Sequence, residues 1–500
     1  MASTNQMITK SLGGISPVIA VHRGAAKPLH RQIYDAYRDG ITAGQLSPGQ
    51  QVPSSRALSS ELGISRIPIL EAYSQLLAEG YFESRAGTGT FVSSSLPDQL
   101  ASSAHWSAEL SQSGSRRVSR RADLTVWRRP WMHSSGPFSI GQLAFDHFPF
   151  SVWSTLMARR ARKVNASSLN YSDAMGDKEF RETLALYLRT SRGVHCDPGQ
   201  IMIVSGSQQA LDLCARILVD PGDPVWVEEP GYGLMRHALK LAGCRLIPVP
   251  VDDQGLDVAA GIKKSATARA AYVTPSHQYP LGATMSASRR MQLLDWAHKV
   301  DSWIVEDDYD SEYRYESMPI ASLQGLDQGS RVIYIGTFSK TLFPSLRIGY
   351  IVIPPDLVDR FATVRGATDI CAPHFYQSVL TDFIDQGHYA RHLRKTRLIY
   401  NERRYTLVNA LQRAFGSGLQ IMGAEAGMHV AVTLPPGLED YEISLRAAEQ
   451  NLWIWPLSTT YMGKNTRQGF ILGFGSTKLS EMPKAVRCLQ EVVLTRQKRG

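Results

Sequence analysis

Between Pro28 and Val92 apolar residues recur at helical spacing in three bursts, each closed by a glycine-containing turn. Leu29, Ile33, Tyr37 and Ile41 lie on one face of a first predicted helix. Gly44 and the Ser-Pro-Gly-Gln turn interrupt it. A second helix is predicted to start near Pro53-Ser54-Ser55, where serine can cap, and carries Arg56, Leu58 and Leu62 before Gly63 ends it. Ser65 is a good cap for a third helix holding Ile69, Tyr73, Leu76 and Leu77, which stops at Gly80. After it, Tyr81–Ser84 and Thr90–Val92 flank Arg85-Ala86-Gly87-Thr88-Gly89, the pattern of a short hairpin. Two short helices joined by a glycine turn, with a hairpin behind them, make a winged helix-turn-helix pattern. The third helix is then the one expected in a DNA major groove.

Beyond Val92 the periodicity lapses. Residues 93–136 are rich in Ser and Arg and read as a linker, in which Trp127 and Trp131 are candidates to dock on a neighbouring domain. From Pro137 onward strand-like apolar runs alternate with helix-like patterns, which predicts an α/β fold. The chain therefore divides into an N-terminal extension (1–27), a DNA-reading domain (28–92), a linker (93–136) and a larger α/β domain (137–500). At 500 residues, more than one core is expected.

Composition narrows this picture only a little. No apolar run is long enough to span a bilayer. The stretch Ile15–Val21 is too short for a signal sequence and is broken by Pro17, so a cytoplasmic protein without a membrane partner is expected. The net charge of +9 permits a polyanionic partner. Part of that excess lies in residues 93–135, where six Arg face three acids. The five cysteines (Cys196, Cys214, Cys244, Cys371, Cys488) have neither metal-ligand nor redox-motif spacing. They read as reduced, mostly buried thiols, and no metal site is expected.

The chemical signal lies in the α/β domain. After the apolar run Val332–Ile335 come Thr337-Phe338-Ser339-Lys340 and then Arg347. A lysine beside hydroxyls, with an arginine close behind, suits an aldehyde cofactor bearing a phosphate: the amine forms a Schiff base while Thr337, Ser339 and Arg347 hold the dianion. Trp303-Ile304-Val305 leads into Glu306-Asp307-Asp308-Tyr309, where a strand-end carboxylate can pair with a pyridine nitrogen and a tyrosine with a phenolic oxygen. Ile201–Val204 turns through Ser205-Gly206-Ser207-Gln208 into a helix whose N-terminal amides would face a phosphate. Tyr232, after Glu229-Pro230-Gly231, can stack on a ring. Taken singly, each segment also has a plain structural reading as surface lysine, acidic loop, strand-to-helix turn or core tyrosine.

The run VPSSRALSSELGISRIPILEAYSQLLAEGYFESRAGTGTFV resembles the GntR family of bacterial winged-helix regulators. That resemblance implies DNA contacts from Arg56 and Arg66, supported by Ser55, Ser65 and Gly89. Pro68 stands where the family usually has threonine; proline is tolerated in a first helical turn, but a contact can be lost. From about Gly141 to the C-terminus, SGSQQALDL, EEPGY, TPSHQYPLG, VEDDYDSEYRY and GTFSKTLFPSLRIGY resemble the class I, fold-type I aminotransferases. The implied cofactor is pyridoxal 5'-phosphate, bound to Lys340. Asp307 would pair with its ring nitrogen, Tyr309 with its phenolic oxygen, and Tyr232 with its face. Ser207, Gln208, Thr337, Ser339 and Arg347 would hold its phosphate, with Tyr171 reaching the cofactor of a partner subunit. Two departures stand out. Tyr279 replaces the asparagine of the family's Asn-Pro-x-Gly motif, leaving His277 or Gln278 to take over the ring contact. Ile471 occupies the place of the arginine that anchors a substrate carboxylate, with Arg467 nearby as a substitute. The two halves together resemble the MocR group of regulators. This implies a homodimer that binds operator DNA and senses an amino compound or pyridoxal phosphate. An active aminotransferase with an accessory DNA-binding arm is the competing expectation.

Overall fold

The computed structural model describes residues 19, 21–94, 130–132, 135–315, 320–463 and 467–495. The chain forms two compact units, residues 1–118 and 119–500. Most of the linker, including Trp127, lies outside the described residues.

In the first unit three helices, α1 (Leu29–Thr42), α2 (Ser55–Leu62) and α3 (Arg66–Ala78), precede an antiparallel hairpin of β1 (Phe82–Arg85) and β2 (Gly89–Val92). The periodic apolar residues meet as expected: Ile33, Tyr37, Ile41, Leu58, Ile69, Tyr73 and Leu76 pack with Phe82 and Val92. Tyr37, Tyr73 and Phe82 meet edge to face at centroid distances of 5.2–5.6 Å. Ser54 caps α2 by accepting from the Ala57 amide, and Gly63 ends it in the left-handed region. Ser65 occupies the cap position of α3 without a side-chain capping bond. Leu77 of α3 is exposed.

The second unit is built on an eight-stranded sheet of order β3-β10-β9-β8-β7-β4-β5-β6. Its members are β3 (Ile201–Val204), β4 (Pro224–Glu229), β5 (Arg245–Asp252), β6 (Gly255–Leu256), β7 (Ala270–Val273), β8 (Trp303–Asp308), β9 (Val332–Thr337) and β10 (Gly349–Val352). β5, β4, β7, β8 and β9 run parallel. β10 is antiparallel to both β9 and β3, so β3 shares their direction. Helices cover both faces, which explains why these strands are near-continuous apolar runs rather than alternating ones. A smaller antiparallel sheet orders β11 (Gln420–Met422), β12 (His429–Thr433), β14 (Gly469–Gly473) and β13 (Trp455–Pro456) as β11-β12-β14-β13. Trp131 docks as anticipated: it is buried and meets the Tyr441 ring edge to face at 5.6 Å. Of the cysteines, Cys196 and Cys214 are buried, the other three half-buried, and all are unbridged.

Candidate cofactor site and DNA-reading surface

The turns that follow β3, β4, β7, β8 and β9 all leave the same edge of the sheet, the carboxyl edge at which open α/β sheets bind ligands. Those after β3, β4, β7 and β9 deliver Ser207, Tyr232, His277 and Lys340 respectively, and Asp307 sits at the carboxyl end of β8 itself. Lys340 lies against the chain at Gly141, where a Cβ would fall 2.7 Å from Nζ. Desolvation pushes its pKa down, opposed by the charges of Asp310 and Asp307. Asp307 is buried, and its Oδ1 has no hydrogen-bond partner among the described residues. Burial first, then Asp308, Glu228 and Asp310, raise its pKa to about 7, against the pull of Lys340.

Gly206, at φ +84°, opens α4 (Ser207–Leu218). A Cβ there would sit 3.1 Å from the Arg347 guanidinium, which donates to the Ser205 carbonyl at 2.5 Å. Gly349 of β10 pairs with Val204 on one side and Thr337 on the other, which brings the two turns together. Thr337 and Ser339 are linked, hydroxyl to hydroxyl, at 3.1 Å. Ser207, Thr337, Ser339 and Arg347 thus gather round the start of α4. Gln208 behaves differently: its amide donates to the Leu234 carbonyl at 3.1 Å, while its Oε1 is buried with no partner among the described residues.

Across the site, the Tyr309 hydroxyl lies 3.0 Å from His277 Nδ1, which also faces the Asp310 carboxylate at 3.1 Å. His277 Nε2 is buried and has no hydrogen-bond partner among the described residues. Gln278, the other candidate for the ring contact, spends its amide nitrogen on Glu228, Pro230 and Tyr279 and its oxygen on the Leu281 amide. Gln278 is thus satisfied within the fold. Tyr232 is half-buried and edge-on to Tyr279 at 5.8 Å. Tyr171 is 79% exposed. Ile471 is fully buried in β14 within an apolar cluster of Val251, Leu281 and Leu457, flanked by Ile140 and Tyr279. The Arg467 side chain lies 3.8 Å from Met422 Sδ, on the flank of that cluster. Three neighbours of the site escaped sequence reasoning. Asp310 was within reach, in the same acidic run as Asp307. Gly141 and His429, whose Nε2 lies 3.1 Å from the Pro280 carbonyl, arrive only through tertiary contact.

In the first unit, Arg66 Nε donates to Ser55 Oγ at 2.9 Å, tying the starts of α2 and α3. Arg56, Ser65 and Arg66 are exposed. Gly89 has an internal reason to be glycine: at φ +120°, a Cβ would fall 2.9 Å from Gln51 Nε2.

Residues 137–469 match the aminotransferase class I and II family, and residues 29–92 the bacterial regulatory proteins of the gntR family. The probable rhizopine catabolism regulatory protein MocR of Rhizobium meliloti is 39% identical over 97% of each chain. The chain belongs to the MocR-type group of GntR regulators. This MocR-type chain is also 30% identical to the pyridoxine biosynthesis transcriptional regulator PdxR of Corynebacterium glutamicum, over 92% of this chain and 94% of that one. Among solved structures, it resembles the multiple substrate aminotransferase of Thermococcus profundus at 29% identity and a TM-score of 0.69, covering 75% of this chain and 97% of that one. A MocR-type chain is a helix-turn-helix transcription regulator with an aminotransferase-like domain, and among its described residues no helix is long and apolar enough to cross a membrane.

Proposed function

We propose that this regulator holds pyridoxal 5'-phosphate at Lys340, senses a small amino compound through it, and thereby changes how a homodimer engages operator DNA in the cytoplasm. The observation that carries the reading is the buried, partnerless Oδ1 of Asp307 beside a desolvated lysine. A buried unpaired carboxyl oxygen is costly, and a protonated pyridine nitrogen is the group that would satisfy it. The rest of the site fits the same molecule. Ser207, Thr337, Ser339, Arg347 and the α4 amides suit its phosphate. Tyr309 and His277 suit its phenolic oxygen, and Tyr232 its ring face. When bound, the cofactor supplies an aldehyde that condenses reversibly with primary amines.

Sensing is favoured over turnover by the burial of Ile471. A transaminase must hold a substrate carboxylate in one pose through both half-reactions, and an isoleucine in an apolar cluster offers no charge for that. An effector acts only through different affinities for two conformations of the dimer.

The test is the absorption spectrum of the cofactor-loaded protein during addition of amino acids and amines, with operator affinity followed in parallel. A lasting spectral change, no sustained keto-acid production and an altered operator affinity are expected. Continuous turnover with an added keto acid would make the protein an aminotransferase, and unchanged operator affinity at saturating ligand would refute the sensing step.

A further inference from the structure

The outward face of α3, which also exposes Glu71 and Ser74, carries two exposed apolar side chains near its start, where a DNA-reading helix makes its contacts. Ile67, in the first turn, is 66% exposed, and Leu70, one turn further on, is 45% exposed. A spacing of i and i+3 makes them neighbours on the helix surface. The core of the unit does not use them: α3 buries Ile69, Ala72, Tyr73 and Leu76 on the opposite side. Arg66, tied by Ser55, stands directly beside Ile67, and the exposed Ser65 and Arg56 complete a cationic, hydroxyl-bearing rim. Two side chains make too small a patch for a protein interface, which needs roughly 800 Å² per partner, and the charge of the rim complements phosphate. In the major groove the apolar feature of a base edge is the C5 methyl group of thymine.

We infer that Ile67, assisted by Leu70, reads thymine methyl groups in the operator, while Arg66 and Arg56 contact the backbone or a guanine edge. This rests on the DNA-binding part of the proposed function and adds to it a base preference and the residues that set it. The rim fixes register and supplies most of the affinity, and the apolar pair supplies discrimination.

The experiment uses full-length protein and duplexes selected from a random pool. Selected sites should carry thymine at fixed positions in each half-site. Replacing those thymines by deoxyuridine removes only the methyl groups and should weaken binding roughly fourfold per thymine contacted, the worth of one buried methyl group. Ile67→Ala should bind the thymine and deoxyuridine duplexes alike, and Leu70→Ala should narrow the difference between them. Arg66→Ala should weaken both duplexes in parallel while keeping their ratio. Because Ile67 lies outside the core, its variant should keep the wild-type melting temperature. Equal binding of both duplexes by the wild-type protein overturns the inference, as does an Ile67→Ala variant that retains the thymine preference. Failure to select any duplex would instead refute the DNA-binding reading on which it rests.

Discussion

Asp307 is where the cofactor reading can be tested with the fewest assumptions. Its Oδ1 is buried without a partner among the described residues, and burial pushes its pKa up to about 7, so the fold by itself disfavours its charged form. A protonated pyridine nitrogen would hold it ionised by a charge-assisted hydrogen bond, worth about 1.5–3 kcal/mol. Asp307→Asn keeps the shape but lacks the charge, and should weaken pyridoxal phosphate binding roughly ten- to a hundredfold, measured by absorbance titration. Much of this residue set was legible because each group sits on one continuous strand-to-turn segment, as Asp307 and Lys340 do. The choice between His277 and Gln278 was not. Both are buried and adjacent, and only the three-dimensional hydrogen-bond count shows that Gln278 is spent.

At the scale of elements, β8 ends in three consecutive buried acids, and each is held differently. Glu306 accepts from the Leu323 and Gln324 amides at 2.9 and 3.0 Å. Asp307 faces the site. Asp308 pairs with Arg192 at 2.7 Å, both side chains being almost wholly buried. Removing one partner strands a buried charge, so Arg192→Met should cost about 3–5 kcal/mol in urea unfolding. The same crowding gives the cofactor-free protein an unusual pH response. Burial raises Glu228, Glu306, Asp307 and Glu312 to about 7 each, from carboxylate values near 4. A raised acid binds more protons folded than unfolded, so its contribution is complete below the unfolded pKa and is lost as pH rises through the folded one. The unfolding free energy of the cofactor-free protein, measured with urea, should therefore fall between about pH 4 and pH 7, by up to about 1.4 kcal/mol per pH unit for each such group. A free energy that rises over that range would show these carboxyls to be ionised in the fold. The apolar runs that became β3, β8 and β9 were readable because strands buried on both faces are apolar at every position.

At the scale of the whole molecule, the question is whether one chain makes a complete site. Tyr171 carries a phenol that is 79% exposed, an uncommon state for a residue expected at a phosphate. Exposure in a single chain is what a residue reaching into a partner's site should show, since in a two-fold dimer each chain would lend its Tyr171 to the other. Complementation distinguishes this from an ordinary surface tyrosine. Tyr171→Ala should weaken cofactor binding at both sites of its homodimer, and Lys340→Ala should abolish covalent retention at both of its own. In a mixed dimer of the two variants, one site receives Lys340 from one chain and Tyr171 from the other and is intact, while the second site lacks both. Co-expressed chains, purified by two different tags, should therefore retain the cofactor at half the wild-type amount and with wild-type affinity. If Tyr171 instead serves its own chain's site, the Lys340-bearing site of the mixed dimer still lacks it, and affinity remains at the level of the Tyr171→Ala homodimer. The readout is the number and tightness of cofactor molecules per dimer, so it tests the assembly without depending on the identity of the effector.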